Sequence, residues 1–403
     1  MRVRFWGVRG STPTPEHRNS RYGGNTTCLE LRLDNGTLVI FDCGSGLRSL
    51  GKSLLREYSQ DPIHGYVFLT HFHWDHIQGI PFFLPLYREG DIFLFHAVNR
   101  DQNELAGIIG GQMTTPFFPV DMTKLSSRIS FYDLNHAPVN VEGAVVSSAP
   151  LNHPQGCVAY RIEADGASLV LATDTEPGSP VHDAALRDLA RGADLLIYDA
   201  QYTPEQLRGE KKGWGHSSWL EGTRIATECG VRRLMLFHHD PDHDDRFVDG
   251  LVARARQNFP AVEAAAEGTE INLSDLTSTH AYEPLTPRSE RRFQVELPVE
   301  VVWRPEHGTP MGRPGVARNL SKSGIYFIAP KDIPTDQLLE IKVVLPEELT
   351  GQDALAFRFV AQPLRSHMVN GALGQGTESV GVAAKRVQVR EGAGRDKDIP
   401  VKT

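Results

Sequence analysis

Along roughly the first two thirds of the chain, short apolar runs alternate with turns and helical stretches: TLVIF at 37–41, YVFLT at 66–70, AVVSSA at 144–149, SLVLA at 168–172, LLIY at 195–198 and RLMLF at 233–237. Polar residues of the kind used in catalysis follow most of these runs at once. This is the pattern of a layered α/β protein whose functional groups ride on loops at strand C-termini. The pattern stops at 274–287, SDLTSTHAYEPLTP, which is rich in Ser, Thr and Pro and has no apolar period, so a linker is expected there. Beyond it Phe293, Val295, Leu297, Val299 and Val301 recur at period two, and β-rich runs follow at 324–328, 339–345, 354–360 and 379–383. The expected organisation is an α/β domain over 1–273, a linker over 274–287, a small β-barrel domain over 288–389 and a charged, disordered tail over 390–403.

Composition agrees with two cores, since 403 residues exceed one ordinary core and 40% of them are hydrophobic. A formal charge of −8 excludes a protein whose whole surface grips nucleic acid, because neutralising phosphates takes clustered Lys and Arg. Any anionic substrate must then be held by metal or by local arginines. Cys28, Cys43, Cys157 and Cys229 form no CxxC pair and are too sparse for a disulfide framework, which points to reduced thiols and a cytoplasmic protein. The start MRVRFWGVRGS has no apolar leader, and nowhere do eighteen apolar residues run together, so neither export nor membrane insertion is expected.

The densest chemistry lies at His71-Phe72-His73-Trp74-Asp75-His76. The strand preceding it delivers two imidazoles two residues apart on one side of an extended segment, and Asp75 and His76 follow where a helix can begin. Four ligand-type side chains in six positions would be costly to hold together without a cation, and imidazole with carboxylate is the donor set of Zn²⁺.

The run resembles the HxHxDH signature of the metallo-β-lactamase superfamily at every position. That resemblance implies a four-layer αββα sandwich and further ligands at later strand ends, where His153 in APLNHPQG, Asp174 in LVLATDTE and His238 in LMLFHHDP stand. It implies that His71, His73 and His153 hold one metal, and Asp75, His76 and His238 the other, with Asp174 bridging. His239 competes with His238 for its place. Trp74 stands where the flavodiiron branch of the superfamily has a carboxylate, which favours zinc over iron; Mn²⁺ is also compatible with these donors. Two such ions activate water and clamp an in-line displacement, so hydrolysis is the chemistry implied, with Asp75 orienting the attacking oxygen.

The stretches FWGVRGSTPTP and RYGGNTTCLEL resemble the N-terminal strands of the subgroup that contains ribonuclease Z, phosphonate-pathway cyclic phosphodiesterases and class II-like cyclic-nucleotide phosphodiesterases. The likeness covers about the first 273 residues. In GWGHSSWLEG, His216 resembles the histidine that ribonuclease Z-like members use as general acid; the alternative is a helix-capping loop with Ser217 or Ser218 as the cap. The Gly-Ser-Thr and Gly-Gly-Asn turns are either anion-binding or merely tight, and Asp42 in FDCGSG either shapes a turn or supports a ligand. No long basic insertion able to dock a tRNA lies between Tyr87 and Ser130, which favours a small phosphodiester over structured RNA.

In the C-terminal unit, Arg288 and Arg292, followed by Asn319, Ser321 and Gly324, resemble the RxxxR and [D/N]xSxxG motifs of PilZ domains, receptors for cyclic di-GMP. Guanidinium forks suit phosphate and the guanine edge, and Asn319 and Ser321 offer short neutral hydrogen-bonding groups. An ordinary basic linker entering a barrel is the alternative. The expectation is a cytoplasmic dinuclear metal-dependent phosphodiesterase with a cyclic di-GMP-binding module. Its rivals are a catalytically idle metal-binding adaptor and a hydrolase of another ester, a lactam or RNA.

Overall fold

The computed structural model describes residues 1–98, 101–135, 137–277, 293–304, 309–320, 324–345, 355–370 and 378–389. The chain divides into two compact units, Met1–Pro287 and Arg288–Thr403.

The first unit contains β1 (Arg2–Gly7), β2 (Cys28–Arg32), β3 (Leu38–Phe41), β4 (His64–Phe68), β5 (Ile92–Ala97), β6 (Arg128–Asp133), β7 (Val139–Val141), β8 (Ala144–Leu151), β9 (Cys157–Ala164), β10 (Ala167–Ala172), β11 (Leu195–Asp199), β12 (Arg233–Phe237), β13 (Val262–Ala264) and β14 (Glu270–Asn272). Its helices are α1 (Leu47–Glu57), α2 (Trp74–Ile77), α3 (Gln102–Gly111), α4 (Pro180–Ala190), α5 (Pro204–Arg208), α6 (Trp219–Glu228), α7 (Asp245–Ala255) and α8 (Ser274–Thr277). The strands form two seven-stranded sheets, ordered β14-β1-β2-β3-β4-β5-β6 and β13-β12-β11-β10-β9-β8-β7. Within each, one run is parallel, β3 to β6 in the first and β10 to β13 in the second.

Period-two alternation in continuously apolar strands explains the layering. Leu195 and Ile197 of β11 join Val39 and Phe41 of β3 in the core between the sheets, while Leu196 and Tyr198 face the helices behind the second sheet. Leu38 and Ile40 point the opposite way from Val39, onto the cluster under α1 and α3. Each covering helix presents an apolar stripe at helical spacing, Leu47, Leu50 and Leu54 on α1 and Val248, Leu251, Val252 and Ala255 on α7. The order helix, sheet, sheet, helix is the αββα sandwich that the motif implied. The four cysteines are buried and unbridged.

The second unit is a closed six-stranded barrel, β15 (Phe293–Trp303), β16 (Met311–Leu320), β17 (Gly324–Pro330), β18 (Leu339–Leu345), β19 (Leu355–Asn370) and β20 (Glu378–Val389), ordered β15-β16-β17-β20-β19-β18. Its core includes Leu297, Val299 and Val301 from the alternating segment.

One expectation changes at the edge of the first unit. Residues 274–277, placed in the linker by composition, form the helical turn α8, whose Leu276 packs against the inter-sheet core and whose carbonyl accepts from Arg232 Nη1 at 3.2 Å. A single apolar residue suffices to dock one turn, and a composition window averages it away. The remainder of the expected linker, 278–287, and the expected tail, 390–403, lie outside the described residues. Among the described residues no helix is long and apolar enough to cross a membrane.

Candidate active site

The site lies at the C-terminal ends of strands from both sheets, most of them parallel, with the antiparallel β8 adding one loop. Asp42 follows β3, His71 to His76 follow β4, His153 follows β8, Asp174 follows β10 and His238 follows β12. Asp42, Asp174 and His238 have φ of 57, 56 and 60°. The left-handed region is uncommon for such residues, and three strand ends sharing it mark a site where packing fixes the backbone.

The local helix at Trp74–Ile77 takes His73 as its N-cap residue and buries Asp75 and His76. One nitrogen or oxygen each from His71, His73 and His153 lies within 4.8 Å of the others, and the same holds for Asp75, His76 and His238. Asp174 sits between the two groups. Its Oδ1 is 3.8 Å from His71 Nε2 and 3.8 Å from His153 Nε2, and its Oδ2 is 3.2 Å from His76 Nε2 and 3.3 Å from His238 Nε2.

The opposite nitrogen of each imidazole is anchored. His76 Nδ1 meets Asp42 Oδ2 at 2.8 Å, His153 Nδ1 meets the Gly215 carbonyl at 2.8 Å and His238 Nδ1 meets Gln201 Oε1 at 2.9 Å. Thr70 Oγ1 donates to Asp42, so towards His71 Nδ1, 3.1 Å away, it accepts. All four rings therefore turn Nε2 inward. His73 does the reverse, with Nε2 on Gln155 Oε1 at 2.9 Å and Nδ1 facing His153. An Nδ1–H bonded outward leaves a lone pair on Nε2, the state a metal needs.

This donor set fits divalent metal. His71 Nε2 is buried without a hydrogen-bond partner, and His76 Nε2 and His238 Nε2 approach to 3.2 Å, two inward-turned nitrogens that a shared cation would satisfy. Burial holds His71 well below the ordinary imidazole range, and His153 is lowered for the same reason. Burial acts against a charge on His76 too, but Asp75, Asp174 and Asp42 outweigh it and raise its pKa well above that range. Burial would raise Asp75 and Asp174, yet the surrounding histidines keep both far below the usual carboxylate range.

His216 joins the cluster through Asp199. Its Nδ1 lies 3.0 Å from Asp199 Oδ2, and its ring stacks on His238 with centroids 5.1 Å apart. Burial opposes a charge on His216, but Asp199, followed by Asp174 and Asp75, pushes its pKa up to about 9. Ser218, not Ser217, caps α6, accepting from Glu221 N. Asp199, Asp174, His216 and His238 also come within 4.8 Å of one another. Asp199, however, already accepts from Asp174 N, Gln201 N, Ser217 N and His216 Nδ1. Four bonds fill the acceptor positions of two oxygens, so Asp199 serves the ring of His216 better than an ion.

The structure separates the residues that the sequence left paired. His239 turns its Nε2 to the Ala265 carbonyl at 2.9 Å and packs edge-on to Tyr22, away from the cluster that receives His238. Of the two N-terminal turns, Ser11 N donates to Asp75 Oδ2 at 2.7 Å, while Asn25 N donates to Glu267. Asp42 both makes the turn and holds His76. Asp199, Gln201 and Gln155 escaped the sequence reading, although Asp199 carries the same signal as Asp174, an acid closing an apolar strand.

A two-sheet αββα sandwich with this twofold His/Asp cluster at its strand ends is the architecture of the metallo-β-lactamase fold. The family model of the beta-lactamase superfamily domain matches residues 37–239, and the chain belongs to that superfamily. It is 26% identical over 327 residues to Ribonuclease BN of Escherichia coli O7:K1, covering 68% of this chain and all of that protein. Among solved structures, the metallo-β-lactamase fold protein YhfI of Bacillus subtilis aligns with a TM-score of 0.52 at 21% identity, over 67% of this chain and 98% of its own. A diphosphatase of the PhnP family aligns with a TM-score of 0.50 at 19% identity, over 67% and 97%.

In the barrel, Asn319 lies near the end of β16 and Gly324 begins β17. Arg288, Arg292 and Ser321 lie outside the described residues. The register pairs Phe293, the residue after Arg292, with Leu320, the residue after Asn319.

Proposed function

We propose that this chain is a dinuclear metal-dependent phosphodiesterase acting on a small, cyclic nucleotide-type phosphodiester, with a PilZ-like barrel that binds cyclic di-GMP as regulator. The observation that supports the reading most is the position of Asp174, whose two oxygens face two different ligand groups. His71, His73 and His153 would hold one ion and Asp75, His76 and His238 the other, with Asp174 shared. Zn²⁺ suits these donors best and Mn²⁺ is tolerated. Bound there, the ions supply a nucleophilic water at neutral pH and offset charge on the phosphoryl oxygens.

The protein groups do the rest. Asp75, held through Oδ2 by Ser11 N, orients the attacking water as an acceptor. Asp199 Oδ2 accepts a hydrogen bond from His216 Nδ1–H, and His216 Nε2 makes no hydrogen bond among the described residues. The Nε2 proton is the one free to pass to the leaving-group oxygen, which is the work of a general acid. Residues 98–127, between β5 and β6, carry only two cations in sequence, Arg100 and Lys124, and α3 within them buries Leu105 and Ile109. That supports a small diester rather than a structured RNA, although the Escherichia coli relative is a ribonuclease by name. For the barrel, the pairing of Phe293 with Leu320 and of Gln294 with Asn319 brings the start of β15 beside the end of β16, which supports one ligand for the two motifs.

The test is turnover of bis(p-nitrophenyl) phosphate, a cyclic nucleotide, a β-lactam and a thioester before and after chelation. The expected result is diester hydrolysis lost to chelator and restored by Zn²⁺ or Mn²⁺. Turnover confined to the lactam or thioester would overturn the substrate class, and metal-loaded protein inert on all four would favour the idle adaptor.

A further inference from the structure

Two tryptophans sit among the cluster residues with their side chains in water. Trp74, between His73 and Asp75, is 69% exposed, and Trp214, two residues before His216, is 57% exposed. We propose that Trp214, with Trp74, stacks on the aromatic base of the substrate, so that the cleft selects nucleotide esters over aliphatic ones; this rests on the phosphodiesterase reading above.

What distinguishes Trp214 from a casually exposed aromatic is the arm that carries it. Gly213 and Gly215 both have φ of 84°, so the turn on either side of the ring uses backbone that only glycine adopts freely. A Cβ at Gly215 would meet His153 Nδ1 at 2.3 Å, and the Gly215 carbonyl is the acceptor for that same nitrogen. The amides flanking Trp214 are clipped to one carboxylate, Gly213 N to Glu176 Oε1 and Gly215 N to Glu176 Oε2, each at 2.9 Å. Glu176 is itself tied by its backbone to Asn152, the neighbour of His153, through Glu176 N to Asn152 O and Asn152 Nδ2 to Glu176 O, each at 2.8 Å. The loops bearing His153, Asp174 and His216 thus share one fastening, and the Trp214 backbone cannot move independently of them. An aromatic face fixed in advance loses little freedom when a ligand lands on it.

The charge nearby completes the complement. Lys211 Nζ lies 4.2 Å from the centre of the Trp214 ring, which puts a cation and an aromatic surface together on the arm whose Gly215 carbonyl holds His153. Nucleotide sites of low sequence preference combine those two groups, because every base has a π-face and every ester linkage a charge.

Calorimetric titration of the zinc-loaded full chain with AMP and with ribose 5-phosphate reads the base alone. AMP should bind roughly 5- to 150-fold more tightly than ribose 5-phosphate. Trp214→Ala should erase most of that preference, the Trp74→Ala/Trp214→Ala pair all of it, and Trp214→Phe should keep most, with ribose 5-phosphate affinity steady throughout. Both rings are exposed, so thermal melts should match the wild type. Equal binding of the two probes by the wild type, or a preference that survives the double variant, would overturn the stacking role. Absence of turnover on every diester is the separate result that would overturn the phosphodiesterase reading.

Discussion

Each cluster histidine is held from behind by an oxygen, and the consequences of removing those oxygens differ. Asp42 fixes His76 from a position with no exposure to solvent, so Asp42→Ala should weaken metal affinity by roughly 10- to 100-fold while leaving all seven proposed ligand residues in place, as a competition titration with a chelating dye would show. His216→Ala should instead lower kcat by roughly 10²–10⁴ with metal content unchanged, and the loss should shrink for activated leaving groups. Release of metal by that variant, or an unaltered rate on an unactivated diester, would remove His216 from the chemistry. The residues of the His/Asp cluster were legible because HFHWDH concentrates four of them in six positions and His153, Asp174 and His238 follow apolar strands. Asp199 closes an apolar strand as Asp174 does but was passed over because it acts through His216, and Glu176, a carboxylate that fastens a loop, carries no spacing signature.

At the scale of elements, strands were readable wherever an apolar run or a period-two alternation was clear, and unreadable where neither was. β16, MGRPGVARNL, carries a proline, two glycines and two arginines and is barely apolar; closure of the barrel, through pairing with β15 and β17, makes it a strand. Ile197, fully buried between the sheets, is a test of the layering: Ile197→Ala should cost about 2–5 kcal/mol, measured by urea unfolding, with little change in the metal donors. β5 contributes a pH response. His96 is 5% exposed and stacked between Phe68 and Tyr132, with centroids 4.7 and 5.1 Å away, and burial lowers its pKa despite its bond to the Leu94 carbonyl. The unfolded chain protonates this ring near an ordinary pKa of about 6.5 while the folded chain resists. Its contribution is therefore complete above that value and lost as pH falls below it, until the lower native pKa is reached. His96→Phe keeps the stack and removes the titration, so unfolding free energy measured from pH 7 to pH 5 should fall less steeply in the variant than in the wild type.

For the molecule as a whole, the two units pose separate questions. A small β-barrel was expected from alternation and the structure shows a closed one, whereas its ligand was inferred from five residues, of which Asn319 and Gly324 are described. A Cβ on Gly324 would meet the Ala384 carbonyl at 2.6 Å, so that glycine is required by strand packing whatever the barrel binds. Arg292→Ala is the sharper probe: calorimetry should show cyclic di-GMP binding to the wild type and its loss in the variant, and no binding to the wild type would end the receptor reading.

The central claim is a shared carboxylate between two metals that perform hydrolysis. It is tested most directly by measuring metal content and bis(p-nitrophenyl) phosphate turnover on the same samples of wild type and Asp174→Ala. The account predicts about two metal ions per wild-type chain, and in the variant the loss of at least one ion together with most of the turnover. Full metal content and full turnover in Asp174→Ala would contradict it.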